Sequence, residues 1–367
     1  MKGKIHMTEK EKQLFFALAR FREPFSDPSL TAYATPAVLG HLFYNRMQGI
    51  AFGTLRENGL LDRTGREFRN SLAAASEQNI IRNESFGVCV SELADLLLAE
   101  NCGAALLKGA YLCAHYPAGY RTANDADLLV LPEAVTRIGN LLTKAGFRQG
   151  HLRNGGFVPA TRREIITSKM MRGETVPYLK EVNLPFLRFF EVDINFSLDY
   201  KSGDRDLLSD MLSRVSVREE HGLTLPMLCD ADFFLQLCAH LYKEATSLPW
   251  IEMRRDMTLY KYCDIYLLLS EMSDGRLRGV FRRAEELGME KILAFAILDT
   301  ADLFGGGVPL SACNMAAAAL TDDPDFRLRV VSPGEGKTLY YRTRDISRRF
   351  FGSRIRDLTE EPFYGKT

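Results

Sequence analysis

Two aspartates one residue apart, Asp125 and Asp127, open an apolar run that ends Leu128-Leu129-Val130. Side chains alternate sides along a strand, so both carboxylates project from one face of an extended segment. Further along, Phe189-Phe190-Glu191-Val192-Asp193-Ile194-Asn195-Phe196 embeds a third aspartate, Asp193, in a second apolar stretch. Carboxylates in or beside a core sheet are costly unless something neutralises them. A hard cation such as Mg²⁺ or Mn²⁺ would do so through oxygen ligands while leaving coordination positions for phosphates. The competing reading is a set of structural salt bridges from Lys108 or Arg121.

Before the aspartate pair, Ala104 to Leu107 reads as a short strand, Lys108-Gly109 as a turn, and Ala110 to His115 as a brief helix stopped near Pro117. A glycine turn lets backbone amides come close to a phosphate, and the start of a helix adds partial positive charge. The same residues also read as an ordinary strand-to-helix turn.

Holding these groups requires a sheet and helices to cover it. Residues 65 to 100 contain no proline, and Leu72, Ile80, Ile81, Val88, Leu93, Leu96 and Leu97 keep helical phasing, which predicts one long helix or two broken near Gly87. Pro132-Glu133 opens a helix with Val135, Ile138, Leu141 and Leu142 inward. Extended segments at Phe147, Ile165-Ile166, Val176 to Leu179 and Phe189 to Phe196 bring the sheet to about five strands of mixed direction. The fold class is therefore α+β, a small mixed sheet in residues 101–200 between helical regions 1–100 and 201–367.

Upstream, Thr8 and Glu11 have capping-box spacing ahead of Leu14, Phe15, Leu18 and Phe21, and Thr35-Pro36 starts a second helix with Val38, Leu39, Leu42, Phe43 and Met47 as its apolar stripe. Downstream, the stripe Phe233, Phe234, Leu237, Leu241 predicts a helix, followed by others through Leu267-Leu268-Leu269, from Arg278 to Leu298, and from Met315 to Leu320. Gly305-Gly306-Gly307 has no following Lys-Ser and reads as a flexible connection rather than a phosphate loop.

The chain has 367 residues and balances 47 basic against 47 acidic side chains, so no overall charge drives it toward nucleic acid or an anionic membrane. Its seven cysteines never fall at CxxC spacing, which points to free thiols rather than zinc ligands or a disulfide framework. The opening MKGKIHMTEKEK lacks the apolar core of a signal peptide, and no uninterrupted apolar run is long enough to span a bilayer. A cytoplasmic protein without a membrane partner is expected.

The segment LLKGAYLCAHYPAGYRTANDADLLV, with the later VDINF, resembles the DNA polymerase β-like nucleotidyltransferase superfamily. Within it, the chain is similar to a poorly characterised bacterial branch in which Lys-Gly replaces the usual Gly-Ser. Leu235 to His240, Tyr260 to Leu268 and Ala294 to Pro309 extend the resemblance over residues 70 to 310. It implies that Asp125 and Asp127 are ligands of catalytic Mg²⁺ with Asp193 as the third acid. It also implies that Lys108 and the Gly109 and Ala110 amides hold phosphates, joined by Arg121. The reaction implied is transfer of a nucleoside monophosphate from an NTP, ATP among them, to the hydroxyl of a small molecule, a peptide or protein, or an RNA end. An RNA-modifying toxin of the same superfamily and a non-catalytic nucleotide-binding scaffold are the alternatives. Ala110 stands where the superfamily commonly supplies a serine, and the interval from Gly109 to Asp125 is longer than usual.

Other residues have two readings each. His41, His240, Lys243 and Glu244 could act on a ligand or serve packing and hydrogen bonding; Trp250 could stack on a base or anchor a core. The tail interleaves Arg342, Arg344, Arg348, Arg349, Arg354 and Arg356 with Tyr340, Tyr341, Phe350 and Phe351. That composition fits nucleic-acid binding or an amphipathic terminal helix docked on the body.

Overall fold

Asp125 begins a strand at the centre of an eight-stranded mixed sheet. The computed structural model describes residues 7–198, 205–332, 336–352 and 354–363. Two compact units divide the chain: Ala73–Phe233, which carries the large sheet, and Met1–Leu72 together with Phe234–Thr367. The fold is α+β.

The sheet-bearing unit contains β1 (Ala105–Leu106), β2 (Asp125–Leu129), β3 (Arg148–Arg153), β4 (Gly156–Pro159), β5 (Tyr178–Leu184), β6 (Leu187–Asn195), β7 (Ser216–Glu220) and β8 (Leu223–Met227), in the order β4-β3-β5-β6-β2-β1-β8-β7. β2 and β6 run parallel, with Asp125 opposite Glu191 and Asp127 opposite Asp193. Side chains of Ala126, Leu128, Phe190, Val192 and Ile194 share the other face and are buried. Phe86 of the helix Arg66–Ala99 meets Phe190 there, ring centroids 5.6 Å apart. One face of the strand pair is thus a closed apolar core, and the other carries the acids.

Several elements depart from the sequence expectation. The sheet has eight strands rather than about five, because three hairpin strands add to it: β4, β7 and β8. Asn154 (φ +51°) and Gly155 (φ +73°) turn β3 into β4, and His221 (φ +51°) and Gly222 (φ +82°) turn β7 into β8, the left-handed pairs that two-residue hairpins require. Ile165-Ile166 is not extended; it lies in the helix Arg162–Arg172, started by a capping box between Thr161 and Glu164. The helix Arg66–Ala99 is continuous through Gly87. The helix expected from Arg278 to Leu298 is two, Asp274–Glu286 and Glu290–Phe304. Gly305–Gly307 forms a single tight turn instead of a flexible connection, and a Cβ on Gly307 would overlap the Tyr266 hydroxyl and the Glu23 carboxylate.

In the second unit the helix Glu9–Ala17 starts at Thr8, whose backbone N–H donates to Glu11 Oε2 at 2.6 Å, while the Thr35 hydroxyl donates to Glu11 Oε1 at 2.5 Å. The Thr35 hydroxyl, then the Thr8 amide, hold the Glu11 carboxyl below its usual 4.5. A depressed acid stabilises the fold above its unfolded pKa, and that contribution is lost as pH falls through the folded value. Glu11→Ala is accordingly expected to cost about 1 kcal/mol near neutral pH, with the gap from the unsubstituted chain closing below pH 4.5. Denaturant melts of both proteins across pH check this.

The tail packs within its own unit. Its helix Ile346–Phe351 sets Phe350 and Phe351 against Phe15 at 5.7 Å each. Arg349 is buried, 4.1 Å over the Tyr341 ring and 3.8 Å from Asp299 Oδ2. Arg342, Arg344, Arg348 and Arg356 are exposed, while the Arg354 side chain lies outside the described ones. The aromatic residues and Arg349 are therefore packed within the unit, while four of the tail's arginines face solvent.

Candidate active site

The acid face is assembled by register. Because β2 and β6 are parallel with Asp127 and Asp193 as partners, residues two apart on each strand extend the same face. Asp125, Asp127, Glu191 and Asp193 place four carboxylates on it, followed by Asn195. Asp127 is 6% exposed, and its Oδ1 accepts from Lys108 Nζ at 2.9 Å and from Asn195 Nδ2 at 3.1 Å. Asp127 is thus paired with an ammonium, and the acids on this face repel one another. Burial, then the Asp125 and Asp127 charges, pushes the Glu191 carboxyl up to about 7. Asp193 is raised well above the ordinary carboxylate range by burial first and then by Asp125, Asp127, Glu191 and Glu174. Such a face favours whatever brings positive charge to it.

Lys108 reaches Asp127 because of its turn. β1 ends at Leu106, the Leu107 N–H donates to the Asp127 carbonyl at 2.9 Å, and Lys108 then adopts φ +41°, ψ −110° before the helix Gly109–His115. A non-glycine residue there stores backbone strain. Gly109 permits the close approach, since a Cβ would come within 3.3 Å of Ala123 Cβ and 3.4 Å of the Asp125 carbonyl oxygen. The Ala110 N–H donates to the Leu107 carbonyl at 3.2 Å.

The segment leading into β2 is tied to the long helix. Asn79 Nδ2 donates to the Gly119 carbonyl at 2.8 Å, Asn83 Nδ2 to the Arg121 carbonyl at 2.7 Å, and Arg82 Nε to the Ala123 carbonyl at 3.1 Å. Arg121 is buried, and its guanidinium donates to the Thr122 carbonyl. These bonds fix where Asp125 enters the sheet.

The structure brings together Asp125, Asp127, Asp193 and Lys108, with Gly109 beneath the turn. Glu191 and Asn195, which are not among the residues expected from the sequence, join this face because each lies two residues from Asp193. Among the described residues no three carboxylate, imidazole or thiolate groups close around a common point as a ready metal cage. The donor set nevertheless fits a hard cation, since it offers only oxygen ligands on a face whose mutual repulsion one cation would relieve.

The remaining candidates lie in the other unit. His41 packs among Phe15 and Phe351, at 6.1 and 5.8 Å, and burial lowers its pKa. His240 Nε2 is 3.5 Å from Glu244 Oε1, and the other Glu244 oxygen meets Lys261, whose ammonium sits 5.7 Å over the Trp250 ring. They form a buried charge cluster of that unit's helices. No described helix is long and apolar enough to cross a membrane.

The acidic strand pair thus lies beside a short strand, a strained Lys-Gly turn and a brief helix. The model of an uncharacterised nucleotidyltransferase family matches residues 36–305, and the chain belongs to that family. Comparison with curated proteins and with solved structures gives no match.

Proposed function

We propose that the chain is a Mg²⁺- or Mn²⁺-dependent nucleotidyltransferase of the DNA polymerase β-like kind. It moves a nucleoside monophosphate from an NTP to an acceptor hydroxyl with release of pyrophosphate. The observation that carries this reading is the parallel pairing of Asp127 with Asp193, which lines up the acids of two distant segments. Asp125, Asp127 and Asp193 would hold the cation. Bound there, it would supply charge neutralisation at the triphosphate and activation of the attacking hydroxyl.

Lys108 presents an ammonium beside these acids, where an incoming polyphosphate would otherwise be repelled. Of the two turn amides, Gly109 is the better phosphate donor, because Ala110 N–H already serves the Leu107 carbonyl. Asp193 would take the acceptor's hydroxyl proton at a carboxylate oxygen. With ATP labelled at the α or γ phosphate, Mg²⁺ and an acceptor pool, α label is expected on the acceptor and γ label in pyrophosphate. Label from the γ position on the acceptor, or as orthophosphate, would exclude the reading.

A further inference from the structure

We propose that the cleft between the helix Arg162–Arg172 and β3 binds the acceptor, and that the acceptor is a small molecule carrying a phosphate or carboxylate group. The proposal rests on the nucleotidyl-transfer reading of the acid face. The cleft is open to solvent and holds about 610 Å³, within the range of a small-ligand site. Arg153, Arg163, Arg172 and His151 line it, against one lining carboxylate, Glu164.

That carboxylate neutralises the cleft weakly. Glu164 Oε1 is 3.7 Å from Arg153 and 3.8 Å from His151, while Oε2 accepts from the Thr161 N–H and hydroxyl at 2.7 and 2.8 Å. Arg172 pairs with Glu174 at 2.5 Å. Arg163 makes no ion pair among the described residues. Guanidinium groups lining one cleft can recognise phosphate or carboxylate through charge-assisted, bidentate hydrogen bonds. Leu152 and Val176 add an apolar wall for the ligand's carbon frame.

Its position assigns the cleft to the acceptor rather than the triphosphate. Residues 173–177, which connect the helix Arg162–Arg172 to β5, are hydrogen-bonded to the strand that bears Asp193. Thr175 N–H donates to the Ile194 carbonyl and Phe196 N–H to the Gly173 carbonyl, both at 2.9 Å. On the other edge of this wall, Gly150 N–H donates to the Pro177 carbonyl at 3.1 Å. In the sheet order β1, which leads into the Lys108 turn, lies on one side of the acid-bearing pair β6-β2, and β5 and β3, beside the cleft, lie on the other. An in-line transfer needs its entering and leaving groups on opposite sides of the reacting phosphorus. The anionic group of the acceptor would be anchored in the cleft while its hydroxyl extends toward Asp193.

The test is calorimetry on the full chain with ribose 5-phosphate and with glutamate as probes, and separately with ATP and Mg²⁺, comparing Arg163→Gln and Arg163→Glu. At least one probe is expected to bind, with its affinity reduced about tenfold or more by Arg163→Glu and less by Arg163→Gln, while ATP affinity stays within about twofold. Binding of ribose 5-phosphate alone identifies the phosphate form, and binding of glutamate alone the carboxylate form. The proposal is overturned if neither probe binds, if Arg163→Glu leaves both affinities unchanged in a protein with an unaltered melt, or if ATP affinity falls in parallel. Tighter binding of a 5′-phosphorylated RNA oligonucleotide, lost in the same variants, would overturn it in favour of RNA. Failure of the underlying reading is distinct: α label would not transfer although the probe still bound.

Discussion

Replacing Asp193 with asparagine is expected to lower nucleotidyl transfer by about a thousandfold or more and to raise the melting temperature in metal-free buffer. Losing a ligand to a cation that stabilises transition-state charge removes several kcal/mol, and each 1.36 kcal/mol is tenfold in rate. Stability changes in the opposite sense. Asp193 stands opposite Asp127 and beside Asp125 and Glu191, and Lys108 pairs with Asp127 at 2.9 Å. Asparagine removes the cost of either ionising this buried acid beside its neighbours or protonating it at neutral pH, without changing side-chain size. Each kcal/mol gained corresponds to roughly 2–4 °C in a domain of this size. Saturating Mg²⁺ should narrow the gap, because the cation stabilises the unsubstituted face more. An activity loss together with a lower metal-free melting temperature would mean that Asp193 is a structural hydrogen-bonding residue instead.

The second large effect is expected at Lys108. Its side chain is 13% exposed and that of Asp127 9%, so the pair is largely removed from water. Deleting one member of a buried pair leaves an uncompensated charge and typically costs about 3–5 kcal/mol. Lys108→Met is expected to destabilise by about this amount and to raise the KM for ATP. Lys108→Gly should cost roughly 1 kcal/mol less, because glycine adopts φ +41° without strain. Combining Lys108→Met with Asp127→Asn should restore most of the lost stability, since the charge that Lys108 had neutralised is then gone as well. Denaturant melts of the three variants measure these terms. Equal destabilisation by the Met and Gly substitutions would show that backbone strain at residue 108 contributes nothing.

The acids were legible in the sequence because strand periodicity is two: Asp125 with Asp127, and Asp193 within its apolar run, could be read without coordinates. Their alignment was not, since register across parallel strands depends on the pairing of distant segments. Glu191 and Asn195 carry a readable signal, two residues either side of Asp193, but neither stands in a DxD pattern. The sequence is compatible with either a phosphate or a carboxylate as the partner of Lys108, and only the turn geometry brings its ammonium to Asp127. The hairpin at Asn154-Gly155 and the capping box at Thr161 and Glu164 were local signals outweighed by the apolar pair Ile165-Ile166. The break between Asp274–Glu286 and Glu290–Phe304 interrupts an apolar pattern that looks continuous. In the tail, composition could not tell a buried arginine from an exposed one, and Arg349 proves to be core.

The central claim is that Asp125, Asp127 and Asp193 act as one cation site for a nucleotide. Its most direct measurement is a titration of Mn²⁺, followed by electron paramagnetic resonance, into the full chain with and without a non-hydrolysable ATP analogue, repeated on Asp127→Asn and Asp193→Asn. Saturable Mn²⁺ binding that the nucleotide strengthens, weakened about tenfold or more in each variant, is the result expected. Mn²⁺ and nucleotide affinities unchanged in both variants would contradict it.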